Sequence, residues 1–151
     1  MKTIKIKDLK IKKDKHYEVI PEDTPLEVLV CDLADDHNLH GVFLTDAEEK
    51  LVGVLDRRHL LDWTRLQLGI RLREEQFQVN TMRKIVFAAK AADLCDPLSH
   101  DAAVTPENTL AEALDKMAQF NLVDIPIVDP EGKVISDLSI SEILSYIMRN
   151  Q

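Results

Sequence analysis

The chain has 151 residues, enough for one ordinary domain or two very small ones, and a globular chain of this length buries about 68–70% of its unfolded surface. With 45% hydrophobic and 30% charged residues, the composition excludes intrinsic disorder, collagen and a disulfide-dense scaffold. The formal charge of −8 is unevenly spread: residues 1–16 carry seven lysines against Asp8 and Asp14, a net of +5, so residues 17–151 carry −13. A body that acidic repels nucleic acid, and no nucleic-acid partner is expected. No uncharged apolar run approaches the roughly 18 residues of a membrane span, and the charged opening lacks the apolar core of a signal peptide. No membrane insertion is expected, and the protein is read as soluble and cytoplasmic.

In chain order, the lysine-rich opening leads to Val19 and then to Thr24-Pro25-Leu26-Glu27, which fits the S/T-x-x-E capping box of a helix start. Leu26, Leu29, Val30 and Leu33 follow at helical spacing, predicting one buried face. The apolar run Gly41 to Leu44, a turn bearing Asp46, and the run Leu51 to Leu55 predict strand, turn and strand. A closing helix is expected from Arg57 to about Leu68. The stretch 69–91 reads equally as a helical excursion or as a strand around Ile85-Val86-Phe87.

The pattern then recurs. An offset of 85 residues superposes Asp8, Leu9, Val19, Pro21, Glu22, Thr24, Glu27 and Leu29 on Asp93, Leu94, Val104, Pro106, Glu107, Thr109, Glu112 and Leu114. An offset of 83 then matches Asp46, Glu48, Lys50, Leu55 and Leu61 with Asp129, Glu131, Lys133, Leu138 and Leu144. Thirteen ordered identities define an internal repeat. The second copy has a capping box at Thr109 to Glu112, strands at Ile125 to Val128 and at Val134-Ile135, and a closing helix from Ser139 to about Met148. The chain divides into a first repeat at 1–68, a linking insert at 69–91 and a second repeat at 92–151. Each unit is near the lower limit for an independent core, so the two are expected to pack on each other.

Cys31 and Cys95 lack metal or redox spacing and are expected to be reduced and packed. Asp35 to His40 has no fixed scaffold for a metal, and none is expected. There is no GxGxxG, Walker, GxSxG or HExxH sequence, so catalysis has no candidate machinery.

The paired Lys7-Asp8-Leu9 and Ala92-Asp93-Leu94, the repeated Val-x-Pro-x-x-Thr, the run Ile125 to Lys133 and Leu51-Val52-Gly53-Val54-Leu55 together resemble a pair of cystathionine-β-synthase (CBS) domains, the Bateman module. The resemblance implies an α+β fold in which two β-α-β-β-α units pack through their sheets. It also implies a regulatory sensor, not an enzyme, with an adenine nucleotide (AMP, ADP or ATP) held between the repeats. A helix N-terminus attracts phosphate. The family pattern places Ser139 on the phosphate and Glu142 on the ribose, facing Tyr17, Val19, His40, Gly41 and Val42. Lys12, Lys13 and Lys15 fall near that phosphate. The mirror cleft combines Asp56 and His59 with Val104, Val123 and Asp124 and reads as too acidic for a nucleotide tail. Helical faces bearing Leu60, Leu61, Trp63 and Leu66, and Ile143, Leu144, Ile147 and Met148, imply a homodimer. The competing reading is a ligand-free dimerisation or docking module serving a transporter or enzyme partner.

Overall fold

Side chains on a strand alternate between its two faces, and this alternation sets the layers of the protein. The computed structural model describes residues 3–10, 16–68 and 87–150. The first repeat runs β1 (Tyr17–Pro21), α1 (Leu26–Asp35), β2 (Gly41–Thr45), β3 (Leu51–Leu55), α2 (His59–Gln67). The second runs α3 (Leu110–Phe120), β4 (Asp124–Val128), β5 (Val134–Ser139), α4 (Ile140–Arg149), with 3₁₀ turns at Ile6–Asp8, Ala91–Leu94 and Ser99–Ala102. The question of helix or strand over 69–86 lies outside the described residues.

Strand β2 pairs parallel with β1 and antiparallel with β3, and β4 pairs antiparallel with β5. The second repeat's first strand is reduced to a single parallel bridge between Val104 and Ile127. The chain reaches Val104 from the Ser99–Ala102 turn instead of from extended backbone, so the ladder is cut short on that side.

Every residue of β2 is buried, because both of its faces are covered. Val42 and Leu44 face the first repeat's own core with Ile20, Leu26, Leu29 and Leu33. Phe43 and Val54 face the other way, into a cluster with Ile125, Ile127, Leu138 and Ile143 of the second repeat. The repeats therefore share a core through their sheets.

They also exchange backbone. Ile6 and Lys7 donate to Asn108 and Pro106 carbonyls at 2.9 and 3.0 Å, and Leu110 donates back to Ile4 at 3.0 Å. In the mirror position Ala91 and Ala92 donate to Thr24 and Glu22 at 2.9 and 3.1 Å, and Leu26 donates to Ala89 at 2.9 Å. Asp8 and Asp93 hold the two exchanged turns by accepting from the Lys5 and Lys90 amides at 3.1 and 3.0 Å.

Three local expectations change. Pro25, not Thr24, is the N-cap of α1, so the Thr24 hydroxyl lies outside the helix and donates to the Pro21 carbonyl at 2.7 Å. The box at Thr109 forms on its threonine side, Thr109 accepting from the Glu112 amide at 3.1 Å. Both cysteines are free, but Cys31 is exposed on the outer face of α1.

The two hairpin turns are near copies. Asp46 Oδ1 accepts from the Glu48 and Lys50 amides at 2.9 and 3.0 Å, and Asp129 Oδ1 from Glu131 and Lys133 at 2.9 Å each. Both need a left-handed residue; the second turn uses Gly132 at φ 84°, whereas the first forces Glu49 to φ 65°. Because this conformation crowds a Cβ, Glu49→Gly is expected to stabilise the protein by about 0.5–1 kcal/mol, and Gly132→Ala to destabilise it by a similar amount. Thermal unfolding reads the difference as opposite shifts of about 1–4 °C.

Candidate functional site

Gly41 and Asp124 are mates under the 83-residue offset, and the fold brings them into contact. A Cβ on Gly41 would lie 3.1 Å from Asp124 Oδ2, so the missing side chain is what leaves room for the carboxyl. Mates that touch must lie near the pseudo-twofold axis relating the repeats. Around this point gather Tyr17, paired with Gly41 across β1 and β2, Ser139, paired with Asp124 across β4 and β5, and the acids Asp137 and Glu142. Tyr17 also stacks on Phe43 at 5.2 Å.

The electrostatics of this seam are acidic. Asp124 is 5% exposed, and the side chain within hydrogen-bond reach of its carboxyl is another acid, Asp137. Burial first, then Asp137 and Glu142, raise Asp124 far above the usual carboxylate range, so that it is protonated at neutral pH. Burial and the charges of Asp137 and Asp124 raise the Tyr17 phenol as well.

Of the residues expected to meet here, Ser139, Glu142, Tyr17 and Gly41 do so. Ser139 is the N-cap residue of α4, yet its hydroxyl makes no capping hydrogen bond, so the second expected box is absent there. Val42 points into the first repeat's core, because strand alternation turns it away from Gly41 and Phe43. Val19 instead lines an open depression with Pro21, Glu22, Lys133 and Val134. His40 is exposed ahead of β2, with its ring 5.5 Å from His16 in an edge-on arrangement. Lys12, Lys13 and Lys15 lie outside the described residues.

Asp124 was expected in the mirror cleft and instead joins the seam of Ser139 and Glu142, because it sits close to the axis and leans toward β5 and α4. Asp137 was not foreseen. The signal was present in the sequence: under the offset these acids stand opposite Gly41 and Val54, inside apolar strand runs.

The mirror site is closed by its own charges. Asp56 Oδ1 accepts from the Arg58 amide at 2.9 Å, Oδ2 from Arg58 Nε and Nη2 at 3.2 and 3.0 Å, and His59 Nδ1 lies 3.0 Å from Oδ1. Burial would raise Asp56, but His59 and Arg58 outweigh it and hold the carboxyl at about 2. Arg58 also donates to the Asn121 carbonyl at the end of α3, spanning the two repeats. The excess acidity expected there is thus neutralised from within.

An α+β fold of two such units, packed sheet to sheet with helix starts opening on the seam, is the class of structure that CBS domain pairs form. The CBS domain profile matches residues 6–65 and 91–149, and the chain belongs to that family. Among solved structures, a CBS domain-containing protein from Thermotoga maritima is similar at 27% identity, covering 99% of this chain and 97% of that one, with a TM-score of 0.74. CBSX2, solved in complex with AMP, is 20% identical over 98% of this chain and 99% of its own, at TM-score 0.72. The CBS domain pair of MJ0100, solved with 5′-methylthioadenosine and S-adenosyl-L-methionine, is 13% identical over 99% and 100%, at TM-score 0.67. No curated protein sequence matches the chain. No helix among the described residues is long and apolar enough to cross a membrane, and no described cluster has the geometry to hold a metal ion.

The buried acid has a pH signature. Since folded Asp124 holds its proton more tightly than the unfolded chain does, its contribution to stability falls as pH rises above the unfolded carboxyl value of about 3.9. Asp124→Asn keeps the shape and removes the titration. It is expected to be more stable than the parent by about 1.4 kcal/mol or more at pH 7.5, the equivalent of a tenfold change in proton affinity, with the gap shrinking toward pH 4. Urea unfolding at the two pH values measures it.

Proposed function

We propose that this protein is a regulatory module that binds an adenosine-containing ligand in the seam of Ser139, Glu142, Tyr17 and Gly41, and passes its occupancy to a partner. The observation that carries the reading is the Ser139 hydroxyl at the start of α4, which makes no capping bond, beside the buried acid pair of Asp124 and Asp137. A helix start without its side-chain cap next to buried acids keeps hydrogen-bonding capacity that a ligand rich in donors and acceptors answers. Support from similar folds comes from CBSX2 with AMP and MJ0100 with 5′-methylthioadenosine and S-adenosyl-L-methionine. Adenine nucleotides are the ligand class suggested by the sequence. At the mirror position Arg58 is engaged with Asp56 and the Asn121 carbonyl, which favours one ligand per chain.

Calorimetry with adenosine, AMP and ATP tests the reading. Ser139→Ala is expected to leave unfolding free energy within about 0.5 kcal/mol of the parent, because no cap is lost, while weakening ligand by about 1 kcal/mol, or roughly fivefold. Glu142→Ala is expected to cost tenfold or more, the scale of a charge-assisted bond of about 1.5–3 kcal/mol. Absence of binding at millimolar ligand would replace this reading with that of a ligand-free docking module.

The module works as a homodimer. Leu60 and Trp63 pack on the first repeat's core, which leaves a narrower apolar surface than the sequence suggests: Leu61 at 60% exposure on α2, with Leu144, Ile147 and Met148 at 53%, 44% and 71% on α4. Large exposed apolar groups on matching helices favour a twofold contact. Sedimentation at micromolar concentration is expected to show twice the 17.2 kDa chain mass, and Leu144→Glu with Met148→Glu to return it to the monomer.

A further inference from the structure

The offset of 85 residues lets the two exchanged corners be compared charge by charge. Lys5 and Lys7 on one arm correspond to Lys90 and Ala92 on the other, and Glu107 and Asn108 at one corner to Glu22 and Asp23 at the other. At the second repeat's corner Glu107 takes both Lys5 and Lys7, each at 3.0 Å, two lysines separated by the buried Ile6. At the first repeat's corner alanine stands in place of the second lysine and aspartate in place of the asparagine, which reverses the sign of the corner's charge. No ion pair among the described residues involves Glu22 or Asp23.

Glu22 and Asp23 border an open depression of about 840 Å³ between β1, the turn after β2 and the start of β5. Val19, Pro21, Ala47 and Val134 give it an apolar lining, in which Val19 is 38% exposed. Asp46 and Glu49 add two acids, against Lys133 as the one cation among its lining residues. The depression is separate from the seam: Val134 and Ser139 are the opposite ends of β5, about 16 Å apart along an extended strand. An anionic occupant is repelled by the four acids, and β1 is an edge strand, the kind of element along which an extended segment docks.

We propose that this depression is the docking site for an extended segment of a partner protein in which lysines alternate with apolar residues. Alternation sorts the two kinds of side chain onto opposite sides of the segment, so that one row meets the acids while the other covers the apolar lining. The chain itself shows the chemistry at Glu107, where lysines two residues apart converge on one carboxylate. The proposal supplies a surface for the partner and stands whether or not an adenosine ligand occupies the seam.

Fluorescence anisotropy of the full chain with labelled peptides, in the absence of any nucleotide, tests it. A Lys-Ile-Lys-Ile-Lys peptide is expected to bind at least about fivefold tighter than Lys-Ser-Lys-Ser-Lys, because serine leaves the apolar lining uncovered. Glu22→Gln with Asp23→Asn, checked for folding by circular dichroism, is expected to weaken the isoleucine peptide by at least about threefold, the scale of two exposed ion pairs. Lys133→Gln is expected to tighten it, and Glu107→Gln to leave it unchanged. No binding at millimolar peptide, equal binding of the two peptides, parental affinity in the folded double variant, weaker binding by Lys133→Gln, or a loss in Glu107→Gln overturns the assignment. Sedimentation of the double variant separates the remaining occupant: a change in oligomeric state relative to the parent makes the depression a contact between copies of this chain and overturns the partner segment.

Discussion

The reciprocal exchange of backbone hydrogen bonds holds the rest of the structure in place. Each repeat turns from its first extended residues into a helix at a corner of the Pro-x-x-Thr type, and that corner leaves amides and carbonyls that the repeat cannot satisfy alone. The chain preceding one repeat satisfies the corner of the other: residues 4–7 bond to Pro106, Asn108 and Leu110, and residues 89–92 to Glu22, Thr24 and Leu26. Buried backbone groups need partners, so neither unit is complete by itself. With Phe43 and Val54 in the second repeat's core, the exchange makes one folding unit from two short ones.

Once the repeats are locked in this way, the axis between them becomes the crowded place in the molecule. Symmetry mates meet there, and a side chain on one must be answered by space on the other. Gly41 supplies that space to Asp124. A true repeat with the same residue at both positions would put either two acids face to face or two hydrogens against a void. The divergence of the pair is therefore what packing near an axis requires, and it also places a buried acid at the helix start where a ligand is expected.

The two helix starts have diverged in complementary directions. On the first repeat, Asp56 is saturated by Arg58 and His59, and Arg58 continues to the Asn121 carbonyl as an internal strut. On the second, Ser139 has no capping bond, and no ion pair among the described residues involves Asp124. One half of the duplicated architecture thus saturates its acid with basic neighbours, and the other sets its buried acids against each other. Both can coexist because the shared core and exchanged corners, not the helix starts, carry the stability of the fold.

The sequence by itself determined the duplication, the element order and the family, because these depend on periodic apolar residues and on spacings that survive reading in one dimension. Asp46 and Asp129 marked their turns, and the stripe from Leu26 to Leu33 marked the buried face of α1. Position within the repeat also predicts that Ser139, Glu142, Tyr17 and Gly41 come together, and the fold places them around one point; their role toward a ligand is the proposal above. The tertiary structure alone decided which way each strand residue faces, so that Gly41 opens on the seam and Val42 does not. It likewise moved Asp124 from one cleft to the other and brought Asp137 beside it. Charge in a site is a sum over side chains from β1, β2, β5 and α4, and no single segment contains that sum; only the packing of the two repeats, with mates in contact near the axis, brings those charges together.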